Sequence, residues 1–220
     1  MRLLAVLTIV GLVAAGPATL LGQDLVGTRP LLTLEPDKLP SLLPSDTHLL
    51  IEVGAIERFL DQLDGEPPDW AAVYGHGHHD PGHDDRLFTL NRERDAGQAD
   101  KPALRWKVTF LWSGELSRYD QKASGFSVSV GPKFHQTRWG MVRFKPENLP
   151  ANLMAIPNPR LRESLRRKFE KGARIEVDIV LTGTLIPEES LVYDFSHEEE
   201  GRGLVMPVVR IERIDYLLIR

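Results

Sequence analysis

The spacing of apolar residues changes from four to two at Gly172, and that switch constrains the chain more than any other feature. Before it, Leu161, Leu165 and Phe169 form a narrow helical stripe among Arg160, Arg162, Arg166, Arg167, Lys168 and Lys171. Asn158 can cap the first turn with its side-chain oxygen, and Pro159 at the first helical position forfeits no intrahelical hydrogen bond. Gly172 supplies the left-handed residue that ends many helices. After it, Ile175, Val177, Ile179 and Leu181 alternate with Arg174, Glu176, Asp178 and Val180, the pattern of a half-buried strand. Gly183 predicts a bend or bulge in that strand.

The alternation recurs on both sides of this stretch. Leu104, Trp106, Val108, Phe110 and Trp112 predict a strong strand, and Phe126, Val128 and Val130 a second, with Gln121 to Gly125 turning the chain between them. A third is expected from Trp139 to Lys145, before Pro146. Beyond the helix, Leu191 to Phe195 can pair back, and Leu204 to Leu218 is the last long strand. In it Val205, Val209 and Ile211 share one parity while Ile214, Tyr216 and Leu218 share the other, so a bulge is predicted near Glu212 and Arg213. Three strands, a helix, then two or more strands is the element order of an OB-like barrel. Residues 104–220 are therefore expected to form an α+β, mainly antiparallel β fold, a small OB-like barrel with one helix. A different packing of the helix on an antiparallel sheet is the alternative. Barrels of this kind host unrelated functions, so the fold alone assigns no chemistry.

The front of the chain differs in character. Met1 and Arg2 precede an uncharged run from Leu3 to Gln23, most apolar up to Ala15, so residues 1–18 are expected to be a secretory signal. An uncleaved anchor to about residue 21 is the alternative, since about 20 apolar residues span a bilayer. Either way the remainder is expected outside the cytoplasm, periplasmic or secreted in the first case and membrane-anchored in the second. Pro30, Pro36, Pro40 and Pro44 make residues 19–45 an expected extended tether. Residues 46–103 are expected to be a small helical region: Leu49, Val53, Ile56, Leu60 and Leu63 fall at helical spacing, Leu87 to Arg94 is a short helix or strand, and Ala96 to Pro102 is a linker.

Cysteine is absent, which removes disulfides, thiolate metal sites and cysteine nucleophiles. The formal charge of −4 conceals an asymmetry: residues 19–103 carry 7 basic and 16 acidic groups, residues 104–220 carry 19 and 15. The basic half can therefore face an anionic partner or dock on the acidic half.

Two stretches are candidate sites. Gly75 to Asp85 reads GHGHHDPGHDD, and His76, His78, His79, His83, Asp80 and Asp84 offer imidazole and carboxylate ligands suited to zinc, nickel or copper. Their spacing matches neither the helical pair of a zinc enzyme nor a zinc finger, so a solvated loop is the competing reading. Gly131 to Pro146 holds Lys133, Arg138, Arg143 and Lys145 among Phe134, Trp139 and Phe144, without an acidic residue. Cations interleaved with stacking aromatics suit single-stranded nucleic acid. Outside the cytoplasm the corresponding ligand is an anionic envelope component or a partner protein, and membrane contact is expected only through an uncleaved leader. The competing reading places the aromatics in the core and the cations on a solvated face. Neither a nucleophile elbow nor a phosphate-cradling glycine loop is present. These features predict an exported, non-catalytic binding module, with metal binding through residues 75–85 as one alternative. Envelope-polymer hydrolysis through Glu188 and Glu189 is another.

Overall fold

The structure, a computed structural model, describes residues 27–35, 38–76, 80–98, 100–197 and 201–219. The expected leader lies outside the described residues, and no helix among them is long and apolar enough to cross a membrane. In chain order the elements are β1 (Thr28–Leu34), α1 (Leu39–Leu42), β2 (Thr47–Leu49), α2 (Val53–Asp64), α3 (Trp70–Tyr74) and α4 (His83–Gln98). They continue with β3 (Lys107–Asp120), β4 (Gly125–Gly131), β5 (His135–Thr137), β6 (Gly140–Val142), β7 (Lys145–Glu147) and β8 (Met154–Pro157). The last are α5 (Pro159–Glu170), β9 (Glu176–Leu185), β10 (Leu191–Phe195) and β11 (Gly203–Ile219).

Six strands close into a barrel in the order β1, β8, β4, β3, β9, β11, with β1 pairing back to β11. The fold is thus α+β with a small closed barrel and few helices, as the alternation predicts. Val108, Phe110 and Leu116 of β3, Val177, Ile179 and Leu181 of β9, and Val205, Val209, Ile214 and Tyr216 of β11 join the main core. Each such side chain contributes roughly 1.5–3 kcal/mol on leaving water. The expected bulge lies between Ile211 and Arg213, where the pairing with β9 shifts and returns Ile214 and Tyr216 to the inside. At Gly183 a Cβ would overlap the Arg210 carbonyl oxygen, so only glycine lets β11 approach β9 there. Helix α5 begins as predicted, with Asn158 accepting from the Leu161 amide at 2.9 Å, and it buries Leu165.

Three local expectations are corrected. The stretch read as a tether contains β1, which lies parallel to β8 on one side and β11 on the other and completes the barrel. The single strand expected from Trp139 to Lys145 is two short ones: β6 joins β5 and the first part of β11, and β7 pairs further along β11. Residues 83–98, expected as a loop end, a short element and a linker, form one sixteen-residue helix, α4. That helix has no continuous apolar stripe: Leu87 and Leu90 pack against the core, and polar contacts hold the rest. Asn91 brackets Tyr193 of β10, donating to its carbonyl and accepting from its amide, both at 2.9 Å. Asp64 at the end of α2 accepts from Arg94 at 2.9 Å and from Gln98 at 3.1 Å.

The segment after β1 also covers part of the barrel's outside. Leu39 of α1 packs with Leu111, Val180 and Leu217, outward-facing residues of β3, β9 and β11, and Leu32, Leu34, Leu42, Leu43 and Ile51 pack around them. This second, smaller core lies outside the sheet and explains why Val180 breaks the polar half of its strand's alternation.

Candidate functional site: a leucine-lined recess on the outer face of the barrel

The outer core is incompletely filled. Between α1, the β2 region and the barrel lies a recess of about 380 Å³ lined by Leu34, Leu39, Leu49, Ile51, Leu111 and Leu217. That size falls within the roughly 300–1,000 Å³ of small-molecule pockets. Four ionisable residues, Glu35, Glu52, Lys133 and Asp178, also line it.

Asp178 is fixed by strand register. On the outer face of β9 it lies opposite Ser113 of β3 on one side and Leu217 of β11 on the other. Burial pushes its carboxyl above the ordinary aspartate value, nearby Lys133 pulls it back, and Glu176 pushes it up. The same residue borders a second, polar cleft of about 530 Å³ lined by Ser113, Glu115, Ser129, Arg174 and Glu176. There Arg174 grips Glu115 with two nitrogens, at 2.7 Å from Nη2 and 3.2 Å from Nε to Oε2. The Arg174 guanidinium holds the Glu115 carboxyl below its usual range. An apolar recess and a polar cleft therefore meet at one half-buried carboxylate.

Elsewhere the partly buried acids have partners: Asp64 has Arg94, Asp80 has Arg86, Glu115 has Arg174 and Asp215 has Arg213. Among the described residues, the half-buried Lys133 and Asp178 have neither a hydrogen bond nor an ion pair, and the same holds for the exposed Glu52 and Glu176. His135, close to Lys133 and Glu52, is buried with its Nε2 unpartnered, and burial followed by the Lys133 charge lowers its pKa. An apolar pocket with a few ionisable groups at its edge is the composition that small-molecule sites share.

The expected basic and aromatic face does not assemble. Trp139 is fully buried, and its indole donates to Asp61 at 3.2 Å, so it offers no ring to a ligand. Arg138 is held by Asp61 and Glu57 of α2, and Lys145 by Glu147 at 3.1 Å. Arg143 donates to the Met206 sulfur at 3.1 Å and lies 6.0 Å above the Phe134 ring. Of the five residues only Lys133 borders the recess. The aromatics were drawn into the core, and α2 supplied the acids that the local sequence lacks.

In the histidine-rich stretch, His78 and His79 lie outside the described residues. Asp80 accepts from the backbone amides of Gly82 at 2.9 Å and His76 at 3.1 Å and pairs with Arg86 at 3.0 Å. Those bonds hold its carboxyl well below the usual range, so Asp80 closes the turn. His83 begins α4: its Nδ1 lies 2.5 Å from the Asp80 carbonyl, its Nε2 lies 3.2 Å from Asp84, and its ring rests on Phe195. Among the described residues no three histidines or carboxylates gather as a metal would require. Glu188 and Glu189 are exposed on a single 3-10 turn.

The recess escaped the sequence reading because its walls are far apart in the chain and Asp178 reads as an ordinary outward residue. One signal was available. Leu111 and Val180 put apolar side chains on the outward parity of their strands, which implies that something covers that face. No known protein family, curated protein or solved structure matches the chain.

Proposed function

We propose that the protein is an exported binding module that takes a small amphiphilic molecule, its apolar part in the leucine-lined recess and its polar end beside Asp178. The observation that carries this reading is the gathering of unpaired Glu52, Lys133 and Asp178 at the rim of that recess. Half-buried charges without partners, such as Lys133 and Asp178, are costly to a fold, and a ligand that supplies the partner offsets the cost. The proposal retains the binding role expected from the sequence and moves it from the Gly131 to Pro146 stretch to the barrel's outer face. Export follows from the leader-like residues 1–18.

The test is a magnetic-resonance titration of isotope-labelled protein with hexanol, an uncharged probe of the apolar pocket. Amide shifts should cluster at Leu34, Leu49, Ile51, Leu111 and Leu217. Replacing the half-buried Ile51 with tryptophan, which fills the space, should abolish them while the rest of the spectrum is preserved. Shifts scattered over the surface, or shifts that survive Ile51→Trp, would remove the recess as the site.

A further inference from the structure

The charges around the recess select among amphiphiles. Glu35 is neutralised by Lys38 at 2.7 Å, and Arg174 by Glu115 at 2.7 Å. What remains among the described residues is Glu52 and Asp178 against Lys133 in the recess, with Glu176 in the adjoining cleft that Asp178 also borders. We infer that the ligand is cationic, an aliphatic chain bearing a protonated amine, which seats its chain among Leu34, Leu111 and Leu217 and pairs its ammonium with Asp178. This rests on the recess being the binding site. It reverses the expectation of an anionic partner, because an anionic head group in the recess would enter beside Asp178 and Glu52 with Lys133 as their one counterweight among the described residues.

The geometry supports the assignment in two ways. Asp178 faces the recess on one side and the polar cleft on the other, so an ammonium beside it keeps one face open to water and to Ser113 and Glu176. Such an arrangement satisfies the head group without full desolvation, the condition under which a charge pair adds affinity. Lys133, bordering the same recess, acts against a cation and limits affinity.

The amine has two sources of the same chemistry, a free alkylamine or the N-terminal residue of a peptide with an aliphatic side chain. Calorimetric titration of the full chain at low salt with hexylamine, hexanol, hexanoate and leucinamide separates the cases. Hexylamine should bind about tenfold more tightly than hexanol, and hexanoate more weakly than either, as charge complementarity requires. The advantage of hexylamine should fade in about 1 M salt, where the screening length is about 3 Å. Asp178→Asn should weaken hexylamine about tenfold and leave hexanol unchanged, and Lys133→Met should tighten hexylamine about threefold. Because these variants move affinity in opposite directions, a general loss of folding cannot produce the expected pair of results. Leucinamide binding like hexylamine supports the peptide source, and its failure beside a binding hexylamine supports the free amine. Equal binding of hexylamine and hexanol, or tighter binding of hexanoate, overturns the cationic assignment and leaves the recess in place. If no probe binds, the recess reading falls with it.

Discussion

Replacing Asp64 with alanine tests how the helical region is attached to the barrel. The Asp64 carboxylate is 4% exposed and sits at the end of α2. It accepts from Arg94 at 2.9 Å and Gln98 at 3.1 Å, both on α4, and from the Tyr193 hydroxyl on β10. Burial, and then the Asp64 charge beside it, push the Tyr193 phenol far above its ordinary value, so that hydroxyl is a donor at every accessible pH. Alanine would strand the Gln98 and Tyr193 donors and take the carboxylate away from Arg94. Breaking a buried charge pair costs about 3–5 kcal/mol, and Arg94 belongs at the lower end because the Glu66 carbonyl still accepts from it at 2.8 Å. Adding about 1 kcal/mol for each of the stranded Gln98 and Tyr193 donors gives about 5 kcal/mol. At roughly 2–4 °C per kcal/mol for a chain of this size, the melting temperature should fall by roughly 10–20 °C. Tyr193→Phe removes one donor and leaves the carboxylate two, so it should cost only about 1 kcal/mol. Urea titrations followed by tryptophan fluorescence and far-ultraviolet dichroism measure both variants. A loss below about 1 kcal/mol for Asp64→Ala, with an unchanged denaturant slope, would show that this carboxylate does not anchor α4.

Four further outcomes are expected. Asp178→Asn should raise stability at pH 7 while lowering ligand affinity, because the raised folded pKa makes ionised Asp178 a destabilising group. That penalty is complete above the folded pKa and relieved as pH falls through it towards the unfolded value of 3.8, so stability curves of the two proteins should converge in acid. A variant that is less stable at pH 7 would refute the assignment. Gly203→Ala places a Cβ inside the Trp70 indole, whose Nε1 donates to the Trp139 carbonyl at 2.7 Å. It should cost about 3 kcal/mol by denaturation, and much less in a Trp70→Ala background. In the histidine-rich stretch, Asp80 has a depressed folded pKa, so its contribution to stability is present above 3.8 and lost as pH falls through the folded value. Stability of Asp80→Ala should therefore trail the parent near neutrality and meet it in strong acid. Zinc affinity should equal that of a free GHGHHDPGHDD peptide, since Asp80 is committed to the turn, and substantially tighter binding would restore the metal reading.

What the amino-acid order determined by itself was local. Period-two alternation marked β3, β4, β9 and β11, and the parity change at Glu212 and Arg213 required the bulge that β11 has, because an extra residue is what keeps both apolar sets on the inner face. Asn158, Pro159 and the Leu161 stripe marked α5 because capping and amphipathicity act within a few residues. Tertiary structure decided the rest. Strand β1 reads as tether because its proline argues against a strand, and its pairing with β8 and β11 joins residues more than a hundred positions apart. Helix α4 has no sustained apolar periodicity, since beyond Leu87 and Leu90 it is held to Asp64 and Tyr193 by hydrogen bonds that no spacing rule anticipates. The recess is a property of packing: Leu34, Leu49, Leu111, Asp178 and Leu217 become neighbours only when the barrel closes and the segment after β1 folds back across it. Sequence patterns report which face of an element is buried, and only the assembled chain decides where two buried faces fail to fill the space between them.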